Sequence, residues 1–397
     1  MIREITTLAI NGQRQDDLLA DIAEIEVEEH VDAADVFRLR LSLAVRPDGT
    51  WRLVDDARLA VWNRVAIRAG YPGHQDTLID GYVTHIHVSI SGSGREESYL
   101  ELTGMDASVV LDLEDRQIAW SNKKDSDIAQ VIFAAYGLTW EVEDTQVLHG
   151  DRLATVLQAE TDIRFLQRLA ARNGFECYIK DGRGYFRTAN LEQPPQKLIT
   201  AGSSGNVSTL HFEIDGTPPS RLEIRRIDPF DKRDERDELT ALTERPLGKR
   251  PLGALHRDTP VGRRLLRQQP SVAALQLEAR TRAAYAAASA FATASGDIDG
   301  RSYGAVLRAK RLVTIRGAGP THDGNYYVTR VRHVLAPDSY VQHFEARRNA
   351  IGLVGTERFD RPSGPLPAGP SADNARPAAG NRLLPPQQTR SALRGGS

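Results

Sequence analysis

Apolar and polar residues alternate along much of this chain. Phe37, Leu39, Leu41, Leu43 and Val45 occupy every second position until Arg46-Pro47-Asp48-Gly49 ends the run. Ile22 to Val27 alternates in the same way. A period of two sends successive side chains to opposite faces, so both segments predict half-buried strands. The pattern returns near the other end. After Asp323-Gly324, a turn pair, Tyr327, Thr329, Val331, His333 and Leu335 fall on one face of a predicted strand. Ala336-Pro337-Asp338-Ser339 then turns the chain, and Tyr340 to Glu345 continues as a partner strand.

Three short blocks recur in order. Tyr82-Val83-Thr84-His85-Ile86-His87-Val88 resembles Tyr327-Val328-Thr329-Arg330-Val331-Arg332-His333. Upstream, Val65-Ala66-Ile67-Arg68 matches Val313-Thr314-Ile315-Arg316; downstream, Ser98-Tyr99-Leu100 matches Ser339-Tyr340-Val341. One such match is worth little, but three in series predict a duplicated β-module.

Between the copies the period changes. Ile128, Val131, Ile132 and Ala135 share one helical face, opened at Asp125 or Ser126 and stopped by Gly137. Leu138 to Val142 is a predicted strand. Phe165, Leu166, Leu169 and Ala170 face inward on a second helix, opened by Thr161 or Asp162 and ended at Asn173-Gly174. A hairpin follows from Phe175 to Arg187. Asp106 to Leu113 reads as a short helical exit from the first module, and Arg221 to Ile227 and Leu307 to Arg316 as strands of the second. The expected division is a β-domain over 1–115, a small α+β domain over 116–200 and a second β-domain over 201–350. Within the last, 228–270 is charged and Pro/Gly-punctuated and reads as a solvated loop, and 271–294 as an Ala-rich helix capped by Ser271. From 351 to 397 the chain is Pro/Gly-rich, with Leu383-Leu384 its one apolar knot, and is expected to be a disordered tail.

Composition narrows the function. The 397 residues carry a net charge of −2, which argues against a generic polyanion binder. The single cysteine, Cys177, excludes an intramolecular disulfide and reads as a small buried hydrophobe. The start lacks the apolar core of a signal peptide, and no run has the length of a membrane span, so synthesis in the cytoplasm without membrane insertion is expected.

Candidate chemistry is sparse. His85 and His87 share a strand face at a zinc-ligand spacing, but a third and fourth ligand are missing. His322 and His333 lie a strand apart. Glu26, Glu28, Glu29, Asp32 and Asp35 crowd one strand end; two of them could serve a hydrolase, but an acidic rim for a partner fits better. Arg263, Arg264 and Arg267 could meet an acidic surface. Arg316-Gly317-Ala318-Gly319 is a hairpin loop with no helix after it, so it cradles no phosphate. Trp51, Trp62, Trp120 and Trp140 are dispersed and build no sugar platform. No catalytic, cofactor-binding or metal-binding residue is assigned, no cofactor is implied, and no enzymatic activity is expected.

Thr161-Asp162-Ile163-Arg164-Phe165-Leu166 running to Gly174-Phe175-Glu176-Cys177-Tyr178, the run Ala294 to Gly300, Gly324 to His333 and the closing Phe344-Glu345-Ala346-Arg347-Arg348-Asn349 together resemble the phage late-control-D/VgrG baseplate hub proteins of contractile tails and injection systems. The resemblance covers about residues 1–350. It implies a mainly β fold with an α+β insertion, in which the two modules are similar small tail-tube-like β-barrels. It also implies a homotrimer that adapts a sixfold inner tube to a threefold spike, with the inner tail-tube protein above, a separate spike protein below and other baseplate proteins around it, in a virion or injection particle. The chain departs from full-length VgrG in carrying no needle after residue 350. The rival expectations are a tail-associated cell-wall hydrolase and a receptor- or sugar-binding β-module.

Overall fold

Most of the alternating runs are strands, but the one through Phe37, Leu39 and Leu41 stops at Ser42 and leaves Leu43 and Val45 beyond it. The computed structural model describes residues 5–92, 97–150, 156–202, 205–227, 232–256, 264–268, 274–355, 357 and 359. In the first module β1 (Ile5–Ile10), β2 (Gln13–Arg14), helix α1 (Asp16–Leu19), β3 (Ile22–His30), β4 (Val36–Ser42), β5 (Arg64–Tyr71), β6 (His74–Ser89) and β7 (Tyr99–Asp106) follow one another. Phe37, Leu39 and Leu41 turn into one core with Ile25, Val27, Val65, Ile67, Leu100 and Leu102, as period two requires. A 3₁₀ helix, Ala107–Asp112, leaves β7 with Asp106 accepting from the Ser108 N–H at its start.

The insertion then contributes β8 (Asp115–Trp120), α2 (Asp125–Ala135), β9 (Thr139–Val142), β10 (Val156–Thr161), α3 (Asp162–Asn173), β11 (Glu176–Lys180) and β12 (Arg183–Arg187). The residue before α2 is Lys124, whose N–H is held by Asp127 reaching back. Gly174 ends α3 at φ 72°, the left-handed conformation that glycine adopts without a side-chain clash. Both helices pack around Phe133, Phe165 and Phe186, but the first buries Ile128, Ala129, Ile132 and Phe133 and leaves Val131 and Ala135 of its expected face exposed.

The second module runs β13 (Gln196–Thr200), β14 (Thr209–Ile214), β15 (Arg221–Ile227), β16 (Asp234–Leu239), β17 (Arg250–Pro251), α4 (Leu252–Leu255), β18 (Arg264–Gln268), α5 (Ala274–Ser289), β19 (Ala292–Asp299), α6 (Gly300–Tyr303), β20 (Leu312–Arg316), β21 (Gly324–Ala336), β22 (Ser339–Arg348) and β23 (Ala350–Ile351). Two expectations are corrected here. The stretch 228–270 is not a plain loop: β16 and β18 flank β15 in a three-stranded sheet. Leu307 to Arg311 precedes the strand rather than opening it. Ser271 and the side chains of Arg263, Arg264 and Arg267 lie outside the described residues, as does the tail from 360, Leu383 and Leu384 included.

The duplication is explicit in the topology. Module one is ordered β3-β4-β7-β6-β5-β1; module two is ordered β14-β19-β22-β21-β20-β13. Both carry a bulge at the same place, Val83/His85 on β6 against β7 and Val328/Arg330 on β21 against β22. The copies differ at the last strand, where β1 pairs β5 antiparallel and β13 pairs β20 parallel. Among the described residues neither module closes into a barrel. They share one 13-stranded sheet, because β3 of the first hydrogen-bonds along β21 of the second.

Candidate assembly interface

The join between modules is built by β3 and β21. Arg330 to Leu335 runs antiparallel to Ile25 to His30, with Val331 opposite Glu29 and His333 opposite Val27. Alternation then sorts the residues. Val331, His333 and Leu335 face the core with Ile25, Val27 and Glu29, and all six are buried. Arg330 and Arg332 point to the other face. Arg330 forks onto both oxygens of Glu28 at 2.8 and 2.9 Å and reaches Glu345 at 3.0 Å; Arg332 approaches Glu26 at 3.7 Å.

The buried side carries a charge cluster. Arg308 Nε lies 3.0 and 2.9 Å from the two Glu29 oxygens, the Ala309 N–H donates at 3.1 Å, and Lys180 Nζ reaches Glu29 at 3.1 Å from the inserted domain. Burial alone would raise the Glu29 pKa. Arg308 and Lys180 overcome it and hold the carboxyl well below the usual range. Burial lowers His333, whose Nδ1 pairs with the Tyr340 hydroxyl at 2.9 Å, so it is neutral at pH 7. Next to it, Lys310 Nζ meets Asp35 at 3.0 Å, and the Asp35 N–H donates to Asp106 at 2.7 Å. Burial and the neighbouring Asp35 push Asp106 up to about 6. Tyr327 donates to buried Glu176 at 2.8 Å and ties the inserted domain to the second module.

The residues singled out by sequence separate. The five acidic residues do not form a rim: Glu26 and Glu28 are spent on arginines of this chain, Glu29 and Asp35 on buried cations, and only Asp32 is left exposed. His322 packs on Phe212 at 4.9 Å between ring centres, while His333 sits in the seam. His85 contacts Thr84 and His87 lies beside Tyr99; no metal-ligand cluster occurs among the described residues. Cys177 is buried and its thiol is pushed up by desolvation. The Ala318 N–H is taken by Asp323 at 2.8 Å, so the glycine loop closes on itself. Trp120 stacks on Phe165, but Trp62 and Trp140 are exposed. A cleft of about 510 Å³ lies between 141–143, 187–192 and 243–245; its arginines are matched, Arg187 with Glu141 and Arg245 with Glu192. Sequence reading missed Arg308, Lys310 and Asp106. The available signal was charge at positions flanked by apolar residues.

The arrangement is two equivalent half-sheets joined edge to edge along a buried charge cluster. It is the fold of tail proteins. The structure is similar to the prophage MuSo2 43 kDa tail protein from Shewanella oneidensis, with TM-score 0.63, 15% identity and coverage of 88% of this chain and 100% of that one. The tail protein from Neisseria meningitidis MC58 matches at TM-score 0.62 and 14% identity, over 87% and 97%. A chain of the Francisella PdpA–VgrG complex matches at 0.53 and 11%, over 88% of this chain and 59% of that one. The chain belongs to the family described as the Alg8 N-terminal domain, whose model matches residues 4–337. No curated protein matches it. No helix among the described residues is long and apolar enough to cross a membrane.

Proposed function

We propose that this chain is a structural hub of a contractile phage tail or injection system, of the late-control-D/VgrG kind, and acts without catalysis. Three copies form a ring. Each copy contributes two modules, so the ring has six similar parts and presents a sixfold face to an inner tube and a threefold one to a separate spike. The observation that carries this reading is the repeated six-strand order, with the two copies joined edge to edge inside one sheet. Duplication with a strand-edge join is what a threefold-to-sixfold adaptor needs, and heterologous contacts close into a ring when the rotation fits. The likeness to tail proteins agrees with it. Among the described residues, four of the five acidic residues that the hydrolase alternative would use, Glu26, Glu28, Glu29 and Asp35, are paired with cations of this chain, which favours the structural reading.

Light scattering across a concentration series tests the proposal. A mass near three times 43.8 kDa, with six-part rings in averaged images, is expected. A monomer at every concentration, alone and with the neighbouring spike protein, would sink it.

A further inference from the structure

We infer that copies of this chain dock edge to edge, β14 of one lying antiparallel along the His85–Ser89 half of β6 in the next. The inference rests on the ring reading above and names the surfaces that form its joints. It follows from the internal seam. In β21 the half before the bulge pairs with β20, and the half after it pairs with β3. In β6 the half before the bulge pairs with β5, but among the described residues no strand lies on that side of His85–Ser89. The missing strand corresponds to β3, whose counterpart in the second module is β14. That strand pairs with β19 on one side and with nothing described on the other.

The registers fix which residues meet. Matching the two modules through their bulges sets Ile86 and Val88 at the places of Val331 and His333. Matching the pairings of β3 with β4 and of β14 with β19 sets Phe212 and Ile214 at the places of Val27 and Glu29. Ile86 then opposes Ile214, and Val88 opposes Phe212. Val331 and Glu29 are 0% and 1% exposed in the internal seam, whereas Ile86 and Ile214 are 41% and 37% exposed. An edge with alternate apolar residues in water is a template for another strand. The opposite face keeps its charge pattern: His87 takes the place of Arg332 and Glu213 that of Glu28, so an imidazole would face a carboxylate. A second copy is the one occupant that brings both complementary edges.

Cysteine pairs in the full chain test the register. Directly opposed antiparallel residues lie about 4.5–5.5 Å apart, within disulfide reach. All substituted positions are exposed or at an edge, and the native Cys177 is buried. Under mild oxidation, Ile86→Cys with Ile214→Cys and Val88→Cys with Phe212→Cys should give covalent trimers. The displaced pair Ile86→Cys with Leu210→Cys should give at least tenfold less. A trimer by mass in which neither matched pair links, or in which the displaced pair links best, overturns the seam and leaves the hub reading standing. A protein that stays monomeric throughout, spike protein included, overturns both. As a second readout, Ile86→Lys should abolish the trimer while leaving the melting of the monomer unchanged; an unaffected trimer counts against the seam.

Discussion

Arg308 and Glu29 stand 279 residues apart and form one buried ion pair, the guanidinium donating to both carboxylate oxygens. The pair holds the loop before β20 against β3, and so joins the second module to the first. Its location decides its worth. Two charges out of water cost several kcal/mol each to desolvate, and the pair offsets this only while both partners are present with their other hydrogen bonds. Here the Ala309 N–H, the Leu78 carbonyl and Lys180 supply those bonds.

Replacing Arg308 by Met should therefore destabilise the protein by about 3–5 kcal/mol, since Glu29 is left buried beside a single lysine. Adding Glu29→Gln to that variant should recover most of the loss. Chemical denaturation of the two single variants, Arg308→Met and Glu29→Gln, and of the double variant checks it. Additive losses would show that the two residues do not act as a pair.

Glu28 lies one residue away and should behave differently. It faces solvent with Arg330, and both are partly exposed. Pairs of this kind contribute about 0–1 kcal/mol. Glu28→Gln and Asp32→Asn should each change stability by no more than about 1 kcal/mol. Neither should alter a zymogram on peptidoglycan, where the wild type is expected to be blank. A cleared band lost in either variant would revive the hydrolase reading.

Alternation made the strands legible, and the helix stops at Gly137 and Gly174 were legible too. The repeat is legible as well, but its third block matches by sequence one residue away from its structural register. Strand pairing matches Tyr99 with Val341, not with Tyr340. A slip of one moves every side chain to the other face, so this error matters. The copies also conceal their likeness by compensating in size. Module one sets Phe37 across from Gly104, where a Cβ would stand 2.3 Å from the Phe37 ring; module two has Ala294 across from Ala346. The internal seam was illegible because its key residues, Arg308 and Lys310, are charged. Charge reads as exposure until partners distant in sequence are known.

Tyr327 offers a test of how the inserted domain is held. Its hydroxyl donates to Glu176, a carboxyl that burial raises above its ordinary pKa. Tyr327→Phe removes the donor and should cost about 1–3 kcal/mol, the penalty of an unsatisfied buried acceptor. The loss should grow as the pH rises and Glu176 ionises without its partner. In the Glu176→Gln background the same substitution should lose that pH dependence. Urea midpoints at several pH values from 5 to 9 separate the two cases.

Glu29 and Asp106 pull the pH profile in opposite directions. Glu29 is depressed in the fold, so its contribution is present above the unfolded carboxylate range and fades as the pH falls through the folded value. Asp106 is raised to about 6, so its contribution is full below about pH 4 and is lost as the pH climbs through 6. At neutral pH Asp106 is ionised beside Asp35, against both burial and charge. Asp106→Asn should thus gain on the wild type by on the order of 2–3 kcal/mol between pH 4 and pH 8, whatever it loses at the Ser108 N–H. Unfolding measured at both pH values gives the difference directly. A constant gap would mean that Asp106 is already ionised at pH 4 and that Lys310 neutralises both aspartates.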